Sequence, residues 1–195
     1  MRLYYDTETT GLVQTKLPAS HPTQPHLVQL AAVLVDRDLR ERGTVNLIVK
    51  PDGYTIPKQA SDVHGITTEL AMKYGVPLRV AVAAFTNLRA LAEMKVAHNI
   101  AFDELVMEAA IHRTGGKPAH PGPTTNVCTM ELSTPILKIP PTSRMVAAGF
   151  NKFKNPNLGE CVKFFFDEEF DGAHDAMNDV RACMRVHNQL MAPPV

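Results

Sequence analysis

The sequence predicts an α/β fold. Strand-like segments fill the N-terminal quarter, helical periods mark much of the remainder, and a short apolar strand lies between two of the helical segments. The chain has 195 residues, enough to bury a core but too few for two ordinary domains, so residues 1–195 read as one domain.

The elements follow in order. Arg2 to Asp6 contains Leu-Tyr-Tyr and reads as a strand ending on an acid, and His26 to Val35 reads as a second, mostly buried strand. Thr44 to Val49 makes a third, closed by Pro51-Asp52-Gly53, so the three form a meander. The polar loop between the first two carries Pro18, Pro22 and Pro25. From Leu78 to Met94 the apolar residues Val82, Phe85, Leu88 and Ala92 follow a helical period. Lys95 to His98 is a brief strand, and Phe102 to His112 is a helix stopped by Gly115-Gly116. Residues 117–157 contain Pro118, Pro121, Pro123, Pro135, Pro140, Pro141 and Pro156, which limit helices there to short pieces. A last helix runs from about Asp175 to Met191, ended by Pro193-Pro194.

Composition narrows the function classes. Twenty basic and twenty acidic residues cancel, which argues against a protein that coats nucleic acid through a broad basic face. If nucleic acid binds, cations held by carboxylates must help attract its phosphates. Cys128, Cys161 and Cys183 are scattered and are expected to be reduced packing residues. Zinc binding through Cys183 and His187 lacks a second ligand pair. No apolar run approaches the roughly 20 residues of a membrane helix, and no signal peptide precedes the first strand. A cytoplasmic location without a membrane partner is expected.

Three short segments carry candidate chemistry. In Tyr5-Asp6-Thr7-Glu8-Thr9-Thr10-Gly11, residues two apart on a strand point the same way, so Asp6 and Glu8 aim their carboxylates at one volume. Two like charges so placed call for a cation, although an Asp-x-Glu pair alone is commonly a polar strand end facing water. In His98-Asn99-Ile100-Ala101-Phe102-Asp103 a strand turns into a helix, with Asp103 near the helix N-terminus. Asp103 is there either a functional acid or a cap, His98 a functional or a hydrogen-bonded core residue, and Asn99 a turn residue. In Gly172-Ala173-His174-Asp175-Ala176-Met177-Asn178-Asp179, His174 and Asp179 lie five apart and cannot share a helical face. With Asp175 as N-cap, His174 falls in the preceding loop and Asp179 projects from the first turn, which favours Asp179 over Asp175 as a metal ligand.

Taken together, in this order and spacing, the three segments resemble those of the DEDDh (DnaQ-like) 3′-to-5′ exonucleases of the ribonuclease H-like superfamily. The resemblance runs from Asp6 to Asp179, and Val63-His64-Gly65-Ile66-Thr67 also looks like a family segment. It implies a five-stranded mixed sheet flanked by helices, with the acidic cluster over its centre. Asp6, Glu8, Asp103 and Asp179 would hold two Mg²⁺ or Mn²⁺ ions, and His174 would act as general base. The backbone around Thr9 and Gly11 would meet the terminal nucleotide, with Asn99 counted among the contacts. Leu12 would wedge against the last base or else be core, and His64 would line the pocket. Phe102 reads as core rather than as a stacking platform. The expected partner is a nucleic acid with a free 3′ end, single-stranded DNA in the main reading. RNA trimming and a catalytically silent binding module are the alternatives. With no tail after the last helix, a stand-alone nuclease is expected over a polymerase-docked one, and any replication or repair partner stays open.

Overall fold

The computed structural model describes residues 1–116 and 124–192. β1 (Arg2–Thr9), β2 (Leu27–Val35) and β3 (Glu41–Ile48) form an antiparallel meander. β4 (Met94–Ala97) and β5 (Thr125–Cys128) add in parallel on the other side of β1, giving one mixed sheet in the order β3-β2-β1-β4-β5. Three helices lie between β3 and β4: α1 (Lys58–His64), α2 (Thr68–Tyr74) and α3 (Leu78–Ala90). Helix α4 (Ile100–Arg113) leads towards β5, and α5 (Thr129–Leu137), α6 (Ser143–Ala147), α7 (Leu158–Phe166) and α8 (Ala176–Met191) follow.

Strand alternation distributes the core to both faces of the sheet. Leu3 and Tyr5 of β1 and Leu30, Ala32 and Leu34 of β2 pack with Phe85 of α3 and with Val106, Met107 and Ala110 of α4. Tyr4 of β1 and Ala31, Val33 and Val35 of β2 pack on the opposite face with Ala176, Val180 and Cys183 of α8. This is why β2 reads as an apolar run broken only by Gln29: every one of its residues is buried. The parity also decides the site, because Asp6 and Glu8 continue the side of Tyr4, facing α8.

Strand lengths leave room for that site. Tyr4 pairs with Val96 and β4 ends one residue later, whereas β1 stays paired with β2 as far as Thr9. Residues Asp6 to Thr9 therefore overshoot β4, and the N-terminus of α4 occupies the space beyond it. The β1–β2 register shifts between Glu8 and Thr9, where the strand turns towards the cleft. Gln24 is buried and draws in the loop between these strands. Its amide nitrogen donates to the carbonyls of Gln14 (3.0 Å) and Leu17 (3.2 Å), while its oxygen accepts from the Gln14 N–H at 3.0 Å.

Several boundaries differ from the sequence reading for physical reasons. β1 continues three residues past Asp6, because its polar end serves a site rather than the core and leaves no hydrophobic signature. Helix α3 stops at Ala90 instead of Met94, since Met94 is already paired with Arg2 across β1 and β4. The proline-bearing stretch 117–157 holds short helices as expected, α5 and α6, but also the strand β5. The strand is a four-residue edge strand whose first two residues are exposed, so no alternation marks it. Pro135 lies inside α5 near its end, where only one backbone hydrogen bond is forfeited. Pro118, Pro121, Pro123, Pro193 and Pro194 lie outside the described residues. Among the described residues, no helix is long and apolar enough to cross a membrane.

Candidate active site

Asp6 and Glu8 stand on β1, Asp103 in the first turn of α4, and Asp179 in the first turn of α8, with His174 in the loop just before α8. All five line one cleft of about 850 Å³, together with Thr9, Gly11, Leu12, His64 and Asn99.

Local backbone geometry puts each group in place. Asn99 adopts a left-handed conformation (φ 71°, ψ 50°), which folds the end of β4 directly into α4. The N-cap is therefore Asn99, not Asp103, and the cap reading of Asp103 does not hold. Asp103 lies within the helix, only 2% exposed, and its Oδ1 accepts the Thr7 hydroxyl at 2.7 Å. Asp175 is the N-cap of α8, accepting the N–H groups of Met177 and Asn178, both at 3.1 Å. His174 sits ahead of it with φ 66°, and its backbone N–H donates to Asp179 Oδ2 at 3.1 Å. Gly172 in the same loop approaches Asn178 so closely that a Cβ there would lie 2.6 Å from Nδ2.

The electrostatics are those of a site built for positive charge. Burial, followed by repulsion from Asp103, Asp179 and Glu8, pushes the Asp6 carboxyl well above the usual range. Burial likewise raises Glu8 to about 8, with further repulsion from Asp179 and Asp103. Asp103 rises to about 7, again by burial, against the lowering effect of the hydrogen bonds from Thr7. Asp179 reaches about 6, burial outweighing the backbone N–H of His174. Among the described residues no Lys or Arg pairs with any of the four. Lys154 lines the cleft but is bound to Glu160 Oε1 at 2.7 Å. Ligand atoms of Glu8, His174 and Asp179 all lie within 4.8 Å of one another, close enough to hold one metal ion. Carboxylate oxygens with an imidazole are a donor set suited to a divalent cation.

The family model RNase_T, described as Exonuclease, matches residues 3–187. The chain belongs to this exonuclease family. Its fold is similar to that of E. coli exonuclease I in complex with a dT13 oligonucleotide, at TM-score 0.75 and 21% identity over 97% of this chain and 40% of that one. The zinc-bound form of an E. coli exonuclease I–ssDNA complex gives TM-score 0.72, 21% identity and the same two coverages. A product-bound exonuclease I gives TM-score 0.71 at 21% identity over 97% and 42%. This chain thus spans less than half the length of those enzymes. No curated protein matches it in sequence.

Within this exonuclease fold, the ten residues singled out in the sequence meet in one cleft, but their environments differ. Leu12 is 86% exposed, so the core reading fails for it, and it stands at the cleft as an uncovered apolar side chain. Phe102 packs against the core and also lines the cleft. His98 behaves as a hydrogen-bonded core histidine: Nδ1 is 3.0 Å from Thr129 Oγ1 and Nε2 is 3.0 Å from the Pro156 carbonyl. It joins β4, α5 and the segment before α7.

Two positioning groups escape the sequence reading. Thr7, between the acids, reaches Asp103 from the other side of β1. Gln29, directly across from Glu8 in β2, accepts the Ala176 N–H at 3.3 Å and donates to Asp175 Oδ2 at 3.4 Å, tying the start of α8 to the sheet. Its signal is visible afterwards: it is the one polar side chain in the strand.

Two outcomes test this description. In metal-free protein the raised carboxyls hold protons that the unfolded chain, with carboxyls near pH 4, has released. Their contribution is full below about pH 4 and is lost as pH rises through the folded values between about 6 and 8. With chelator the melting temperature should fall from pH 7 to pH 8.5, above the range in which His26, His64, His98 and His187, all held below the usual imidazole value by burial, add stability as they lose protons, and Mg²⁺ should restore most of the loss at the alkaline end. A chelated protein whose melting temperature is flat or rising over that window would contradict the cluster. Asp175→Ala, measured with Mg²⁺ present, should cost about 1 kcal/mol of stability through the lost cap. Unchanged denaturant midpoints would show that the cap is energetically idle.

Proposed function

We propose that this chain is a metal-dependent 3′-to-5′ exonuclease that acts on single-stranded DNA and releases nucleoside monophosphates. The observation that supports it best is the convergence of Asp6, Glu8, Asp103, His174 and Asp179, drawn from three distant stretches of chain, in one cleft of an exonuclease fold. The choice of DNA is supported by the similar E. coli exonuclease I structures, one a complex with a dT13 oligonucleotide and another a complex with ssDNA. The described function is assigned to residues 1–195 acting as one domain.

In this reading Asp6, Glu8, Asp103 and Asp179 hold two Mg²⁺ or Mn²⁺ ions. Such ions, when bound, activate water and stabilise the departing 3′ oxygen. Water adds to the phosphorus of the terminal phosphodiester and the bond to the 3′ oxygen breaks. The products are a 5′-mononucleotide and a strand one residue shorter. His174 accepts the proton of the attacking water, its ring nitrogen lying within 4.8 Å of carboxylate oxygens of Glu8 and Asp179. Its strained backbone, held by Asp179, keeps the ring beside the acids. Leu12 is exposed where a terminal base would meet it, and Thr9, Gly11, His64 and Asn99 line the space for the terminal nucleotide.

The test uses 3′-labelled and 5′-labelled single-stranded DNA and RNA with Mg²⁺, Mn²⁺ or chelator, beside Asp6→Ala. Metal-dependent loss of the 3′ label as mononucleotide, faster on DNA, is expected. Faster cleavage of RNA would make it an exoribonuclease, and no cleavage of either polymer would leave a silent binding module. His174→Ala should lower the rate by roughly 10² to 10⁴ while calorimetric Mg²⁺ affinity stays within a few-fold. A comparable loss of Mg²⁺ affinity would instead make His174 a metal ligand, as its closeness to Glu8 and Asp179 allows.

A further inference from the structure

The chain is neutral as a whole, yet from Leu132 to Gly159 it contains Lys138, Arg144, Lys152 and Lys154 and no Asp or Glu. Such a run is cationic against a background of balanced charge. Lys138, Arg144 and Lys152 are exposed and, among the described residues, none of the three makes an ion pair. Two exposed aromatic rings lie in the same run, Phe150 at 64% and Phe153 at 47% exposure. Large exposed aromatics beside free cations do not help a core, and they are the two components of a surface that binds single strands: ring faces for the bases and charge for the backbone.

The run is continuous with the active cleft. Lys154 and Asn155 line that cleft. The Lys154 N–H donates to the Ile139 carbonyl at 2.9 Å, which draws the Lys138 end of the run alongside it. Thr134 Oγ1 donates to Asn155 Oδ1 at 3.2 Å, fastening the segment to α5. Phe153 is the next residue to Lys154, and Phe150 is four away, within about 14 Å of chain. Neither ring lines the cleft itself.

We propose that residues 138–154 form a track that holds the single strand upstream of its 3′ end, with Phe150 and Phe153 stacking on bases and Lys138, Arg144 and Lys152 contacting phosphates. This inference rests on the exonuclease reading, since the cleft supplies the direction of the strand. Its occupant is a single-stranded nucleic acid several nucleotides long. A terminal dinucleotide fills the cleft without reaching the track.

The experiment measures binding and cleavage separately. Fluorescein-labelled dT16 is titrated by anisotropy in chelator, and cleavage of the dinucleotide dTpdT and of dT16 is measured with Mg²⁺. Phe150→Ala/Phe153→Ala should weaken dT16 binding about tenfold or more, raise KM for dT16, and leave dTpdT turnover unchanged. Lys138→Ala/Arg144→Ala/Lys152→Ala should flatten the slope of log affinity against log salt by about 2, near 0.7 per lost cation. Wild-type protein that cuts both substrates, with variants that bind dT16 and respond to salt as it does, would overturn the track and leave the exonuclease reading intact. Wild-type protein that neither binds dT16 nor cuts dTpdT would overturn both. Equal thermal melting of the variants and wild type checks that the surface changes leave the fold unaltered.

Discussion

Burying several carboxylates against one another is the constraint on which the rest of this molecule depends. Asp103 is buried and Asp6, Glu8 and Asp179 are half-buried beside it, and no cationic side chain among the described residues is spent on them. Such an arrangement is costly in the free protein and is repaid only by an external positive charge. The scaffold must therefore be rigid enough to keep the acids together against their repulsion. A β-strand packed on both faces and a pair of helix starts provide that rigidity.

The sheet topology explains why the cluster forms where it does. β1 is central, antiparallel to β2 and parallel to β4. Because β4 ends early, the last residues of β1 run beyond it, and α4 begins there. One face of β1 then presents Asp6 and Glu8 towards α8, while the other presents Thr7 to Asp103. The acids on the two helices thus approach the strand from opposite sides. Polar side chains hold this junction: Gln29 fastens α8 to β2, and His98 fastens the end of β4 to α5 and Pro156. Behind it, Lys95 is buried between β4 and α4 and pairs with Glu104, which also accepts the Tyr5 hydroxyl. These bonds satisfy groups that would otherwise be buried without partners, and they fix the helices that carry Asp103 and Asp179.

The same cleft joins two kinds of surface. Its floor is acidic and attracts cations. Its rim carries exposed Leu12 and leads into the cationic, aromatic run around Phe150 and Phe153. A polyanion can approach such a protein despite its zero net charge, because the charge is separated in space and not merely balanced.

By itself the sequence determined the α/β class, the meander, the helices around Phe85, Val106 and Val180, and the short segments that carry the acids. These are legible because strand alternation, helical period and capping are local properties. The Asp175 cap was readable for the same reason, and with it the placement of His174 before α8 and Asp179 inside it. Only the tertiary structure decided that β1 runs on to Thr9, that Asn99 rather than Asp103 starts α4, that Leu12 is exposed and that Thr125–Cys128 completes the sheet. The roles of Thr7 and Gln29 belong to the same group. Each depends on what a distant segment places opposite the residue: a strand to pair with, a helix to fasten, or no covering at all. No pattern within a few residues of sequence contains that information.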